Sequence, residues 1–249
     1  MKVVIIGSGN VAYHLANAFV LKGINLIQIF GRNENDLQEI ALKTGVPFST
    51  KILDNADLYI IAVNDGALEE VSQLITKKNC IVAHTSGSLP IEILQGEYRK
   101  AVIYPLQTFS KSKELEYHKI PFFLEAQNTE DYLFIENLAL KISDHVEASS
   151  YEKRKYVHLS AVFACNFVNH LFARAKEITD AHDIPFKYLL PLIEETTHKI
   201  FQVEPKEAQT GPSVRNDVRI TKMQEDLLNG EFLKIYKTMN ESIKEMYEL

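Results

Sequence analysis

The sequence predicts an α/β protein in which an N-terminal, doubly wound parallel sheet is followed by an all-α region. Three observations predict it. Of 249 residues, 46% are hydrophobic, enough for a sizeable buried core. Residues 1–149 alternate short β-branched runs with amphipathic stretches, the pattern of a sheet covered by helices on both faces. From Tyr151 to His182 the apolar residues recur at spacings of three and four with no Gly or Pro, so one long helix is expected over residues 151–182.

The first strand is expected over residues 3–6, Val3-Val4-Ile5-Ile6. A helix follows over 11–22, with Val11, Leu15, Ala18 and Phe19 at helical spacing and Gly23 as its stop. The second strand spans 25–30, a helix 35–43, and Thr44-Gly45-Val46-Pro47 makes a turn. Residues 57–63 form an apolar run with the character of a central strand. A helix over 67–76 and a strand over 80–84 continue the alternation. Strands at 101–104, 121–125 and 146–148, with a helix at 131–143, complete it. Beyond the long helix, further helices are expected at 186–202, 218–228 and 231–247. The expected domains are therefore 1–149 and 150–249, with the boundary near Ser149.

Composition narrows the function. Lys plus Arg number 27 against 33 Asp plus Glu, a formal charge of −6 with the signs interleaved, which argues against a nucleic-acid-binding face. The two cysteines, Cys80 and Cys165, have no CxxC spacing, so neither a disulfide framework nor a metal site is expected. The N-terminal apolar run stops at Gly7, and no later run approaches a membrane span. A soluble cytoplasmic protein with no nucleic-acid or membrane partner is the expectation.

Gly7-Ser8-Gly9-Asn10-Val11-Ala12 fits G-x-G-x-x-G/A between the first strand and the first helix. Gly7 permits the tight turn, Gly9 lets a pyrophosphate approach the backbone, and Ala12 lets the helix pack closely on the sheet. Free N–H groups at the helix start then hold the phosphates. This is the signature of a Rossmann-like dinucleotide site. NAD-preferring sites place Asp or Glu after the second strand, but this chain reads Gly31-Arg32-Asn33. Arg32, 23 residues after Gly9, suits the 2′-phosphate of NADP, with Asn33 assisting. Val63, Asn64 and Asp65 end a central strand and should border the cofactor; Asn64 or Asp65 can equally cap the following helix.

Taken together, these motifs resemble a family with a Rossmann-like NADP-binding domain followed by a helical domain of unknown function. The resemblance also rests on His84-Thr85-Ser86-Gly87-Ser88-Leu89, Tyr104-Pro105-Leu106-Gln107-Thr108-Phe109, residues 158–166, and Thr210-Gly211-Pro212-Ser213-Val214-Arg215-Asn216-Asp217. It looks like a branch of the group containing pyrroline-5-carboxylate reductase, 6-phosphogluconate and β-hydroxyacid dehydrogenases, ketopantoate reductase and deazaflavin-dependent NADP reductases. The resemblance implies an NADP domain meeting a helical domain across a substrate cleft, and a homodimer formed through the helical domain. Two positions depart from it. Tyr104 stands where the family usually has His, and His158, with Lys155 one turn earlier, stands where the β-hydroxyacid dehydrogenases carry a catalytic Lys.

Hydride transfer to a carbonyl or imine needs a proton donor and polar groups that fix the substrate. His158 and Asn166 are the candidate catalytic residues. At 100° per residue, Asn166 lies about 80° and Asn169 about 20° around the helix from His158, so the three can share a face. The alternative is that they satisfy backbone groups at a domain or subunit contact. Ser86 can hold the nicotinamide ribose or a substrate carboxylate, with Gly87 permitting close approach. Gln107 and Thr108 can touch substrate, Arg215 can clamp an anion that Asp217 orients, and Asp217 can instead cap a helix. The expected function is NADP-dependent reduction of a small carboxylate-bearing carbonyl or imine compound. Ketopantoate reduction, a deazaflavin as the hydride partner, and a non-catalytic NADPH-binding regulator are alternatives.

Overall fold

The computed structural model describes residues 1–249. Eight strands form one sheet: β1 (Val3–Ile6), β2 (Leu26–Phe30), β3 (Phe48–Ser49), β4 (Leu58–Ile61), β5 (Ile81–His84), β6 (Arg99–Pro105), β7 (Phe122–Ala126) and β8 (Val146–Ala148). Their order is β3-β2-β1-β4-β5-β6-β7-β8, parallel except that β7 runs antiparallel to β6. The first six follow the order of a dinucleotide-binding sheet, in which the chain reverses direction between β1 and β4 and opens a crevice there.

The side-chain alternation of β1 explains why the sheet is covered twice. Val3 and Ile5 pack with Leu15 and Phe19 of α1 (Asn10–Leu21) and with Leu37 and Ile40 of α2 (Glu34–Thr44). Val4 and Ile6 point to the other face, with Tyr59, Ile61 and Leu68, the last on α3 (Leu68–Ser72). All four β1 residues are therefore buried, as a strand apolar on both faces requires. Helix α4 (Thr129–Ala139) adds Ile135 and Leu138 to the first face.

Three elements differ from expectation for local reasons. Helix α3 stops at Ser72, whose hydroxyl donates to the Glu69 carbonyl at 2.7 Å and accepts from the Gln95 amide at 2.8 Å. Such side-chain bonds compete with helix propagation. Residues 186–189 form a 3₁₀ turn and α7 runs Leu190–Lys199, because Pro191 is tolerated only in a first helical turn. The two-residue β3 is too short to show periodicity.

The long helix is present but not uniform: α5 (Tyr151–Ala161) passes through a π-helical stretch (Val162–Phe167) into α6 (Val168–Ala181). The chain forms two compact units that divide between Cys165 and Asn166, inside that stretch, rather than at Ser149. Helix α5 stays with the sheet because Arg154, completely buried, pairs with Glu125 of β7 and donates to the Leu89 carbonyl at 2.8 Å.

The second unit contains α6, α7, α8 (Pro205–Ala208), α9 (Val218–Glu225) and α10 (Gly230–Met246). Arg174 of α6 bridges to Glu231 of α10 at 3.0 Å, and Tyr236 of α10 donates to Gln224 of α9 at 2.6 Å. No helix of the chain is long and apolar enough to cross a membrane.

Candidate active site

At the carboxyl ends of β1, β2 and β4 lies a cavity of about 440 Å³. Ten of the sequence-predicted cofactor residues line it: Gly7, Ser8, Gly9, Asn10 and Val11 at the start of α1, Gly31, Arg32 and Asn33 after β2, and Val63 and Asn64 after β4. Gly7 cannot be replaced without disturbance. Its φ is +136°, and a Cβ there would stand 2.1 Å from the Ala62 carbonyl oxygen.

Ala12, Asp65 and Ser86 do not line the cavity. Ala12 is buried in the core between α1 and the sheet, and Asp65 begins an exposed 3₁₀ turn. The Ser86 hydroxyl oxygen accepts the amides of Ser88 and Leu89 at 3.1 and 3.2 Å, which shapes the loop after β5; Thr85 lines the cavity instead. Sequence reasoning missed Asp36, Glu70, Val71 and Leu74, which also line it. Val71 and Leu74 follow β4 at a spacing of three, and that pattern was the available signal.

A second group of residues meets after β5 and β6. The Tyr104 hydroxyl and His158 Nδ1 are 2.9 Å apart, with the rings edge to face at 5.9 Å. Gly87 packs directly on this pair, since a Cβ there would lie 2.6 Å from Tyr104 Cζ and 2.9 Å from His158 Cβ. Burial pushes the Tyr104 phenol up to about 12, against a smaller opposing pull from the Arg154 guanidinium. The phenol is therefore protonated at neutral pH.

His84, at the end of β5, is completely buried. Its Nδ1 accepts the Ser86 amide at 3.1 Å, so the ring carries its proton on Nε2, which is buried without a well-formed hydrogen bond. Burial, reinforced by the charge of Arg154, lowers its pKa to about 3. Arg154 itself was not legible in the sequence, where it sits among Glu152, Lys153 and Lys155 like any solvated charge.

The remaining predicted residues are dispersed. Gln107 and Thr108 are exposed and bonded to each other, Gln107 Oε1 accepting the Thr108 amide at 2.7 Å. Asn166 and Asn169 are exposed in the second unit, and Asn166 lies on the π-helical stretch, where the regular 100° count does not hold. Asp217 caps α9, accepting the Ile220 amide at 3.2 Å, while Arg215 is exposed in the turn before it.

Comparison with known proteins bears directly on this geometry. Residues 2–87 match the family described as NADP oxidoreductase, coenzyme F420-dependent, and residues 120–243 match a domain of unknown function. A provisionally named NADP oxidoreductase from Bacteroides fragilis is 38% identical, with 98% of each chain covered and a TM-score of 0.93. The chain belongs to this NADP oxidoreductase family. A Thermotoga maritima protein, 22% identical over 99% of this chain and 98% of its own, shares the fold of the oxidoreductase at a TM-score of 0.73. So does 1-pyrroline-5-carboxylate reductase from Streptococcus pyogenes, 14% identical over 100% and 99%, with a TM-score of 0.62. Comparison with curated proteins returned no match.

The cavity of the oxidoreductase fits NADP on its own observations. Any side chain at Gly7 would collide with Ala62, nothing lies within 4 Å of a Cβ built on Gly9, and Arg32 is exposed at the rim with no ion-pair partner. Gly7 to Val11 would hold the pyrophosphate on the N-terminus of α1, and Arg32 the 2′-phosphate.

Proposed function

We propose that this NADP oxidoreductase reduces a small carbonyl or imine compound bearing a carboxylate, with Tyr104 and His158 managing the proton. The observation that carries the reading is the 2.9 Å bond between them beneath Gly87, on the loop that continues from cavity-lining Thr85. Bound NADPH supplies a hydride to the substrate carbon. A reduced carbonyl then needs a proton on oxygen. The Tyr104 phenol is held protonated by burial and is a match for a strongly basic alkoxide. With both ring nitrogens of His158 carrying protons, Nδ1–H donates to the phenol oxygen, which leaves the Tyr104 O–H free for the alkoxide; the Nδ1 proton then passes to the phenolate along the same hydrogen bond and leaves a neutral imidazole. The Ser86 hydroxyl retains its own proton for a substrate carboxylate, because its oxygen only accepts within the loop.

The test is oxidation of NADPH against a panel of 2-oxo acids and cyclic imines by wild type, Tyr104→Phe and His158→Gln. One compound turned over by wild type and slowed at least about a hundredfold by either change is the expected result. Turnover of a branched 2-oxo-4-hydroxy acid would specify ketopantoate reduction. Tight NADPH binding with no turnover by wild type would make the protein a regulator instead.

The same reading includes a homodimer formed through the helical unit. No apolar side chain from Asn166 onward is buried, while Phe201 is 82% and Leu227 78% exposed. A helical unit with so little interior requires another apolar surface. Sedimentation equilibrium is the check, and a monomer at micromolar concentration would overturn it.

A further inference from the structure

Lys111 lies outside the cofactor cavity, in the segment between β6 and β7, yet it reaches one of the cavity's walls. Its Nζ is 3.3 Å from Oδ1 of Asp36 and 2.7 Å from Oε2 of Glu39, both on α2. Asp36 lines the cavity beside Arg32 and Asn33. The other oxygen of Asp36, Oδ2, accepts from Asn33 Nδ2 at 2.6 Å, and the Asp36 amide donates to Asn33 Oδ1 at 3.3 Å. Both carboxylate oxygens are thus engaged, one by an amide and one by a cation.

The segment carrying Lys111 is itself held. Asn10 donates to the Phe109 carbonyl at 2.9 Å, and the buried His14 ring spans the Ser110 carbonyl at 2.9 Å and the Tyr117 hydroxyl at 3.1 Å. Lys111 is only 20% exposed, so its charge is less screened than that of a free surface lysine. Burial opposes that charge, but the hydrogen bonds and charges of Glu39 and Asp36 outweigh it and raise the pKa of the ammonium. It remains protonated at any physiological pH.

A doubly charged 2′-phosphate beside Arg32 would meet one cation and, on the adjoining helix, the carboxylates of Glu34, Asp36 and Glu39, of which Lys111 pairs with the last two. Without Lys111 the charges of Asp36 and Glu39 would stand unopposed beside the group that distinguishes NADP from NAD, and would offset part of the attraction of Arg32. We propose that Lys111 determines the preference for NADPH over NADH by neutralising Asp36 and Glu39 from behind the cavity wall. It is a specificity-determining residue that acts through Asp36, and the inference rests on the NADP assignment of the cavity. Asn33, read from sequence as a phosphate contact, holds Asp36 in place and caps α2 in this arrangement.

The experiment is titration of NADPH and NADH, followed by nicotinamide fluorescence, into wild type, Lys111→Met, Lys111→Arg and the double variant Lys111→Met/Asp36→Asn. Lys111→Met should weaken NADPH binding about tenfold and leave NADH unchanged, a loss that shrinks as salt is raised. Lys111→Arg should keep the preference, and adding Asp36→Asn to Lys111→Met should restore most of it. Equal weakening of both nucleotides, or none, overturns the role of Lys111 while leaving the NADP assignment standing. A wild-type protein that does not prefer NADPH overturns the assignment and this inference together. Should Lys111→Met lose its cooperative thermal transition, Lys111→Gln takes its place in the same comparison.

Discussion

The Tyr104 hydroxyl and His158 Nδ1 meet at 2.9 Å although 54 positions separate them in sequence, the first on β6 and the second on α5. Their meeting depends on Gly87, which leaves room for both rings, and on Arg154, one helical turn before His158, which fastens α5 to the sheet.

Gly87→Ala should separate this pair. The added methyl would lie 2.6 Å from Tyr104 Cζ, and both rings would have to move. A displacement of about 1 Å at reacting groups costs on the order of a hundredfold in rate. NADPH affinity should stay within about twofold, because Gly87 does not line the cavity. Steady-state turnover together with an NADPH titration separates the two effects.

Gly7→Ala should act earlier, on binding. A methyl 2.1 Å from the Ala62 carbonyl oxygen, on backbone at φ +136°, forces β1 away from β4. Thermal unfolding should show a loss of about 2 kcal/mol or more, and NADPH should no longer bind at micromolar concentration.

His84 gives a pH signature of its own. Its pKa falls from 6.5 in the unfolded chain to about 3 in the folded protein, by burial first and by Arg154 second. The unfolded state therefore binds more protons between these values, so stability present above pH 6.5 is lost as pH falls toward 3. The loss amounts to a few kcal/mol, on the order of 1 per pH unit once below 6.5. Urea unfolding of His84→Gln should be flatter than wild type between pH 6.5 and 4.5, and identical slopes would contradict the assignment.

Arg154→Ala removes the only cation facing Glu125 in a buried setting and frees the Leu89 carbonyl. Breaking such a pair costs about 3–5 kcal/mol. Urea denaturation measures it, and turnover should fall with stability because His158 loses its anchor.

Much of this protein is legible in the chain. The β-branched runs named the strands of the sheet, and Gly7, Gly9 and Ala12 marked the first turn and helix because each answers a local demand of backbone and phosphate. Arg32 pointed to NADP from its position after β2 alone. The start of α7 and the end of α3 were missed because Pro191 and the Ser72 hydroxyl act against an apolar periodicity that otherwise continues.

Sequence by itself determined the layered sheet, the cofactor crevice and the long helix, since these follow from local periodicity and from glycines at a strand-to-helix turn. Only the tertiary structure decided that Tyr104 faces His158, that Arg154 is a buried anchor rather than a solvated charge, and that Lys111 guards Asp36. Those facts join residues tens of positions apart. The pairing of a charge is set by what the fold brings beside it, and no spacing along the chain encodes that.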